Sequence, residues 1–255
     1  MFTIKNIFRV LIRECLFLLN LFLPKKPKLI ILMYHSIDRK GHYFNVTPEC
    51  FERQIIFLRE SCDIVDIESF LSSRKRKIKK NTVLITFDDG LKNNLDNAYP
   101  ILNKYKVPGI IYIPTSFLGK KFNNLEHLSE IDITSFSKKL ITIGAHSVSH
   151  RNLDQLSISE QRNEILNSIE ILSKILGYKI KHFSYPKGRY SADTIDLLKD
   201  AGVVSATTIR RDIVKNSNSK YELPRIDVNR FLTHRDFQLR FTDAYAKFKY
   251  KEFLR

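Results

Sequence analysis

NTVLITFDDG, residues Asn81–Gly90, is the stretch from which the fold can be read. Val83, Leu84 and Ile85 run on into Thr86 and Phe87, a continuous aliphatic and β-branched segment that reads as a buried strand. The strand ends in two adjacent carboxylates, Asp88 and Asp89, followed by Gly90. Acids delivered at the C-terminal end of a strand, just before a sharp turn, are how α/β proteins commonly present chemistry. Taken alone, the same letters also suit a strand-end turn with solvated carboxylates.

Working outward, other apolar runs end in the same manner. Leu29–Tyr34 (LIILMY) is predicted as the first core strand and stops at His35. Gly109–Pro114 and Ile141–Ala145 read as strands, the second ending at His146. Short strands are expected at Ile64–Val65, Lys181–Ser184 and Val203–Thr207, with a last one at Leu223–Val228. Between them lie helical patterns. Thr47 caps a helix that has Pro48 at its first position, with Phe51, Ile55 and Leu58 on its buried face. Further helices are expected at Glu68–Leu71, within Asn94–Tyr105, over Ile158–Leu176 closed by Gly177, over Ala192–Ala201 closed by Gly202, and over Arg235–Tyr250. Strands alternating with helices give an α/β fold with a mainly parallel sheet or barrel.

The 255 residues, 43% of them apolar, suffice for one large core, and no Pro/Gly/Ser linker divides them. A net charge of +16 favours an anionic partner. No nucleic-acid motif accompanies it, so a phospholipid surface or an acidic glycan is the expected one. Cys15, Cys50 and Cys62 have neither metal-type nor disulfide-framework spacing. The basic run Arg74–Lys80 reads as a solvated loop or a membrane-facing patch.

Met1–Leu23 is apolar, but its longest uncharged run, Cys15–Leu23, is nine residues, against the roughly 20 that a spanning helix needs. Lys5, Arg9, Arg13 and Asn20 fall along one helical stripe, with Phe2, Ile4, Phe8, Leu11, Leu18 and Phe22 around the rest. Pro24-Lys25-Lys26-Pro27-Lys28 then ends the helix. The division expected is an amphipathic membrane-associating helix over 1–25, its charged stripe beside anionic headgroups, and a catalytic domain over 26–255. A signal segment and a helix packed on the domain are the alternatives.

His146-Ser147-Val148-Ser149-His150 places two imidazoles at i, i+4, the spacing that would stack them on one helical turn. Both could then reach one metal ion, completed by an Asp from a neighbouring strand. Of two adjacent Asp residues, one can bind the metal while the other stays free as a base. A glycoside hydrolase needs carboxylates flanking the substrate about 5–10 Å apart, which adjacent residues do not provide.

Thr86-Phe87-Asp88-Asp89-Gly90, His146–His150 and Phe183-Ser184-Tyr185-Pro186-Lys187-Gly188 resemble, in order and spacing, the first three motifs of the polysaccharide deacetylases, the NodB-homology family of carbohydrate esterases. Leu32–His35 and Leu223-Pro224-Arg225-Ile226-Asp227-Val228 are similar to the branch containing the poly-N-acetylglucosamine deacetylases. The resemblance implies a distorted (β/α) barrel of about seven strands. It implies hydrolysis of the acetamide of an N-acetylated amino sugar, in a glycan or a lipid-linked saccharide. It also implies one divalent ion: zinc first, with nickel, cobalt, iron or manganese as alternatives.

Carried over by position, Asp88 is the expected general base, and Asp89, His146 and His150 the metal ligands. The Lys187 N–H becomes the oxyanion donor, with Tyr185, Pro186 and Gly188 beside the substrate. Ser184 stands where the family usually has an arginine, which makes Arg225 the expected cation beside the base. The branch takes its acid from an early histidine, so His35 is the expected general acid and His234 in Leu232-Thr233-His234 the alternative. His42, His127 and His182 carry no motif and are expected on the surface or in loops. The alternative function is a non-catalytic glycan- or membrane-binding relative. Localisation is expected at a bacterial inner membrane, bound peripherally through the N-terminal helix.

Overall fold

Six consecutive buried residues, Leu29–Tyr34, form strand β1. The computed structural model describes residues 4–41 and 43–248, with the backbone alone for 4–7, 9 and 248. His42, Met1, Phe2 and the end of the expected terminal helix lie outside the described residues. Helix α1 (Ile4–Leu21) precedes β1, and the short strands β2 (Ser36–Ile37) and β3 (Asn45–Val46) follow it. Then come α2 (Pro48–Ser61), β4 (Cys62–Ile64), α3 (Ile67–Ser73), β5 (Asn81–Phe87), α4 (Tyr99–Tyr105) and β6 (Gly109–Ile113). A hairpin of β7 (Lys121–Phe122) and β8 (Leu125–Glu126) leads to α5 (Glu130–Ser135), β9 (Ile141–Ala145), α6 (Ile158–Leu176) and β10 (His182–Ser184). The chain continues through α7 (Ala192–Asp200), β11 (Ser205–Thr207), β12 (Ile226–Asp227), α8 (His234–Leu239) and α9 (Asp243–Phe248).

The main sheet is parallel throughout, in the order β11-β10-β9-β6-β5-β1-β12, with β4 pairing the first half of β5. Parallel strands are covered on both faces, which is why β1, β5 and β6 are near-continuous apolar runs. The sheet curls into the distorted barrel. Its edge strands are joined through the segment before β12: Leu223 N–H donates to Ala206 O, Thr208 N–H to Leu223 O, and Arg225 N–H to Arg210 O. The strand expected over Leu223–Val228 is thereby reduced to Ile226–Asp227, because its first half serves as this closing seam.

Local signals account for the helices. Thr47 caps α2 and Pro48 opens it. Ser157 and Glu160 form a capping box on α6, and Gly177, at φ 73°, closes it. The terminal pattern, continuous in the sequence, is broken into α8 and α9, since Arg240, Phe241 and Thr242 turn back onto carbonyls of α8.

Helix α1 packs against α8 and α9. Leu16 is buried in the main core, with Ile12, Phe17 and Leu23 packed on it. Arg13 and Asn20, the members of its polar stripe whose side chains are described, face the domain, contrary to expectation. Arg13 reaches Asp236 at 3.7 Å, and the Asn20 amide oxygen accepts from the Asp243 N–H at 2.9 Å. These side chains find fixed partners on the domain, where the sequence placed them beside headgroups. Among the described residues, no helix is long and apolar enough to cross a membrane.

Candidate active site

The strand register assembles the site. Tyr34 pairs with Phe87, so His35 and Asp88 leave the sheet side by side. Ile113 and Phe183 both pair with Ala145, so the segments after β6, β9 and β10 emerge next to them. His35, Asp88, Asp89, His146, His150 and Lys187 line one cavity of about 870 Å³, closed by an apolar wall of Met33, Phe44 and Ile209.

Neighbours in sequence, Asp88 and Asp89 have different surroundings. The Asp88 carboxylate is buried, and Arg225 donates to both its oxygens, at 2.7 and 2.6 Å. The guanidinium is itself fixed, donating to Thr86 Oγ1 at 3.0 Å, Ser184 Oγ at 3.0 Å and the Thr208 carbonyl at 2.9 Å. Ser184, at the usual arginine position, thus holds the arginine that comes from elsewhere. Burial alone would raise the Asp88 carboxyl, but the charge and hydrogen bonds of Arg225, helped by His146 and His35, hold it well below the usual carboxylate range.

Asp89 turns away at φ 69° and is about one-third exposed. Its Oδ1 lies 3.6 Å from His146 Nε2 and 3.3 Å from His150 Nε2. The three ligand atoms lie within 4.8 Å of one another. His146 Nδ1–H donates to the Ser184 carbonyl at 2.7 Å, which leaves the Nε2 lone pair facing the cluster. The His150 imidazole is pushed down to about 4 by burial and by the neighbouring His146, against the pull of Asp89 and Asp88. A neutral imidazole is the form that ligates. Two imidazoles and a carboxylate, with the His146 tautomer fixed by the Ser184 carbonyl, fit a divalent first-row ion.

The residues His146–His150 form a loop rather than the helical turn that the spacing suggested. Ser147 and His150 adopt φ of 63° and 58°. Such left-handed conformations cost a non-glycine residue on the order of 1 kcal/mol or more. The loop is held by Glu164 of α6, which accepts from the N–H groups of Val148 at 2.9 Å and Ser149 at 2.8 Å and from the Ser149 hydroxyl. Ser147 Oγ accepts from the His150 N–H at 3.0 Å. Glu164 escapes sequence reading, since nothing in a helical surface pattern marks it.

His35 lines the cavity with its ring 4.5 Å from that of Phe44, and its buried Nδ1 has no hydrogen-bond partner among the described residues. His234 begins α8, beside Phe57 and bonded to Gln238, and does not line the cavity. Three expected substrate neighbours are placed elsewhere. The Tyr185 ring is buried against Tyr190, and its hydroxyl donates to the Tyr221 carbonyl at 2.9 Å. Pro186 is buried behind Lys187. Gly188 is required by packing, since a Cβ there would lie 2.4 Å from Ile209 Cγ1. Only Lys187 of this segment, at φ 53°, faces the cavity.

His127 and His182, expected on the surface or in loops, are both buried, His127 in the connection between β8 and α5 and His182 on strand β10. His182 donates from Nε2 to Glu68 at 3.1 Å and accepts at Nδ1 from Ser205 at 2.9 Å, two partners that stabilise it inside. Asp227 and Arg211 also line the cavity, paired at 2.9 Å. The alternation of strand side chains, which puts residues 225 and 227 on one face, could have found Asp227.

Comparison with known proteins places this geometry. A family profile described as polysaccharide deacetylase matches residues 75–206, more than half of the 255 residues. His35 and Arg225 lie outside the matched segment. YxkH of Bacillus subtilis, named after the polysaccharide deacetylases, is 29% identical over 208 residues, 80% of this chain and 73% of that protein. The poly-beta-1,6-N-acetyl-D-glucosamine N-deacetylase of Staphylococcus aureus is 28% identical over 207 residues, 76% of this chain and 71% of that protein. The fold is that of the deacetylase PplD from Streptococcus pyogenes, with TM-score 0.75 and 23% identity over 84% of this chain and 97% of that one. IcaB from Ammonifex degensii gives 0.73, with 21% identity over 85% and 97%.

Proposed function

This chain belongs to the polysaccharide deacetylase family, and from that membership we propose that it hydrolyses the acetamide of an N-acetylated amino sugar, releasing acetate and leaving the free amine. The substrate class is an N-acetylhexosamine-containing glycan or lipid-linked saccharide. The observation that carries this reading is the division of labour between adjacent acids. Asp88 is bound to Arg225, and Asp89 faces His146 and His150.

Arg225 keeps Asp88 ionised and fixes its plane, so the carboxylate is pre-set to accept a proton from the attacking water. A divalent ion held by Asp89, His146 and His150, zinc in our first assignment, would supply Lewis acidity at the acetamide carbonyl and at the water, which a base as weak as Asp88 requires. The Lys187 N–H is assigned to the oxyanion that develops as the carbonyl becomes tetrahedral. His35 gives its proton to the departing amine. The apolar wall of Met33, Phe44 and Ile209 suits an acetyl methyl group.

The test is acetate release by chelator-stripped protein, reloaded with zinc, cobalt or nickel, from polymeric, oligomeric and polyprenyl-linked N-acetylhexosamines. Release that disappears on chelation, returns with metal and is absent from Asp88→Asn supports the reading. Full activity in Asp88→Asn overturns the assignment of the base. Tight metal binding with no acetate from any substrate would instead favour a non-catalytic, glycan-binding relative.

A further inference from the structure

Helix α1 is docked by one side only. Leu16 and Asn20 meet the domain, while Phe8, Leu11, Cys15, Leu18 and Phe22 recur at i, i+3, i+7, i+10 and i+14 on the other side, and all five are exposed. Leu11 and Leu18 are 57% and 61% exposed, and Phe22 86%. From Phe8 to Leu18 the helix carries this apolar strip over ten residues, about 15 Å, and Phe22 follows just past its end. Soluble surfaces rarely leave so continuous a strip in water, and one rimmed by polar groups marks an interaction site.

Positive charge gathers beside the C-terminal end of α1. Lys25, Lys26, Lys79 and Lys80 are exposed and line a cleft of about 530 Å³ beside the C-terminal end of α1. None of the four has an ion-pair partner among the described residues. The acid in the cleft, Asp243, is bound to Lys28 at 2.9 Å. Lys75, Arg76 and Lys77, shortly before Lys79 in the chain, are exposed as well.

We propose that the α1 strip and the lysine cleft form one docking surface for an anionic phospholipid bilayer. The strip enters the boundary between headgroups and acyl chains, and the four lysines bind lipid phosphates. The two features explain each other there. Nucleic acid would use the lysines and leave the apolar strip in water. A second copy of a chain carrying +16 would bring like charges together. Because Arg13 and Asn20 already anchor the helix, it meets the bilayer folded and oriented, without the ordering cost that a free amphipathic peptide bears.

The experiment is co-sedimentation of the full chain with phosphatidylcholine vesicles, with and without phosphatidylglycerol. Binding should require phosphatidylglycerol and weaken at high salt. Leu18→Asp combined with Phe22→Asp should reduce it at least tenfold. The quadruple change of Lys25, Lys26, Lys79 and Lys80 to Glu should remove the preference for the anionic lipid. Circular dichroism checks that both variants keep the wild-type unfolding transition. The chain contains no tryptophan, so Leu19→Trp gives a clean emission signal that should shift to the blue on the vesicles. Protein left in the supernatant, binding indifferent to both variants, or an unshifted emission would overturn the proposal. So would light scattering showing a dimer that Leu18→Asp/Phe22→Asp dissociates, which makes the strip an interface between copies. The readout is lipid binding, so it stands apart from the fate of the deacetylase reading.

Discussion

Arg225 grips both oxygens of Asp88 across 137 residues of chain, with the guanidinium wholly buried and the carboxylate side chain 4% exposed. A pair in that setting is costly to break from one side, because the remaining charge is left without water or partner. Arg225→Met should therefore destabilise the fold by about 3–5 kcal/mol. In the Asp88→Asn/Arg225→Met double variant the loss should be clearly smaller than the sum of the singles. Urea unfolding midpoints for the four proteins measure this. Additive losses would mean that the pair contributes no coupling.

The two candidate acids are separated by position. His35→Gln should lower kcat/KM for acetate release by about 10²–10⁴-fold, the usual contribution of a general acid. His234→Gln, at the start of α8 beside Phe57, should stay near wild type. Steady-state rates on a soluble oligomer decide. The reverse ranking would move the acid role to His234.

Glu164 touches none of the ligand atoms but holds the loop that carries His150. Glu164→Ala frees two backbone N–H groups and relaxes residues at positive φ. Metal affinity should fall about 10–100-fold, as for other groups that support a ligand from behind. Calorimetric titration with zinc or cobalt reads it directly, and unchanged affinity would show the loop to be self-supporting.

His182 makes stability depend on pH. Burial pushes its imidazole below the ordinary value, and Glu68 pulls only partly back. Between the ordinary histidine pKa of about 6.5 and the lower folded value, the unfolded chain binds more protons than the folded one. Stability contributed by this site is thus present above about pH 6.5 and is lost as pH falls below it. His182→Asn should be less stable at neutral pH, with a flatter loss between about pH 6.5 and 5. Thermal unfolding of both proteins across that range checks the slope, and parallel curves would contradict it.

What the sequence determined by itself is local. LIILMY, NTVLITF and GIIYI announce buried parallel strands because both faces of such strands are covered. Thr47-Pro48 and Gly177 mark helix ends because caps are made by near neighbours. DDG and HSVSH, read with their positions after strands, pointed to the cluster of Asp89, His146 and His150, which could hold a metal ion. What only the tertiary structure decided depends on partners distant in the chain. Ser184 and Arg225 together replace one missing arginine, Glu164 bends HSVSH into a loop, and His182 is buried because Glu68 and Ser205 satisfy it. Periodicity showed that α1 has a polar side and an apolar side. Which side faces the domain followed from Asp236 and the α9 N-terminus standing where Arg13 and Asn20 could meet them. Hydrogen bonds and ion pairs form between groups that the folded backbone brings within about 3–4 Å, and sequence order does not record that distance.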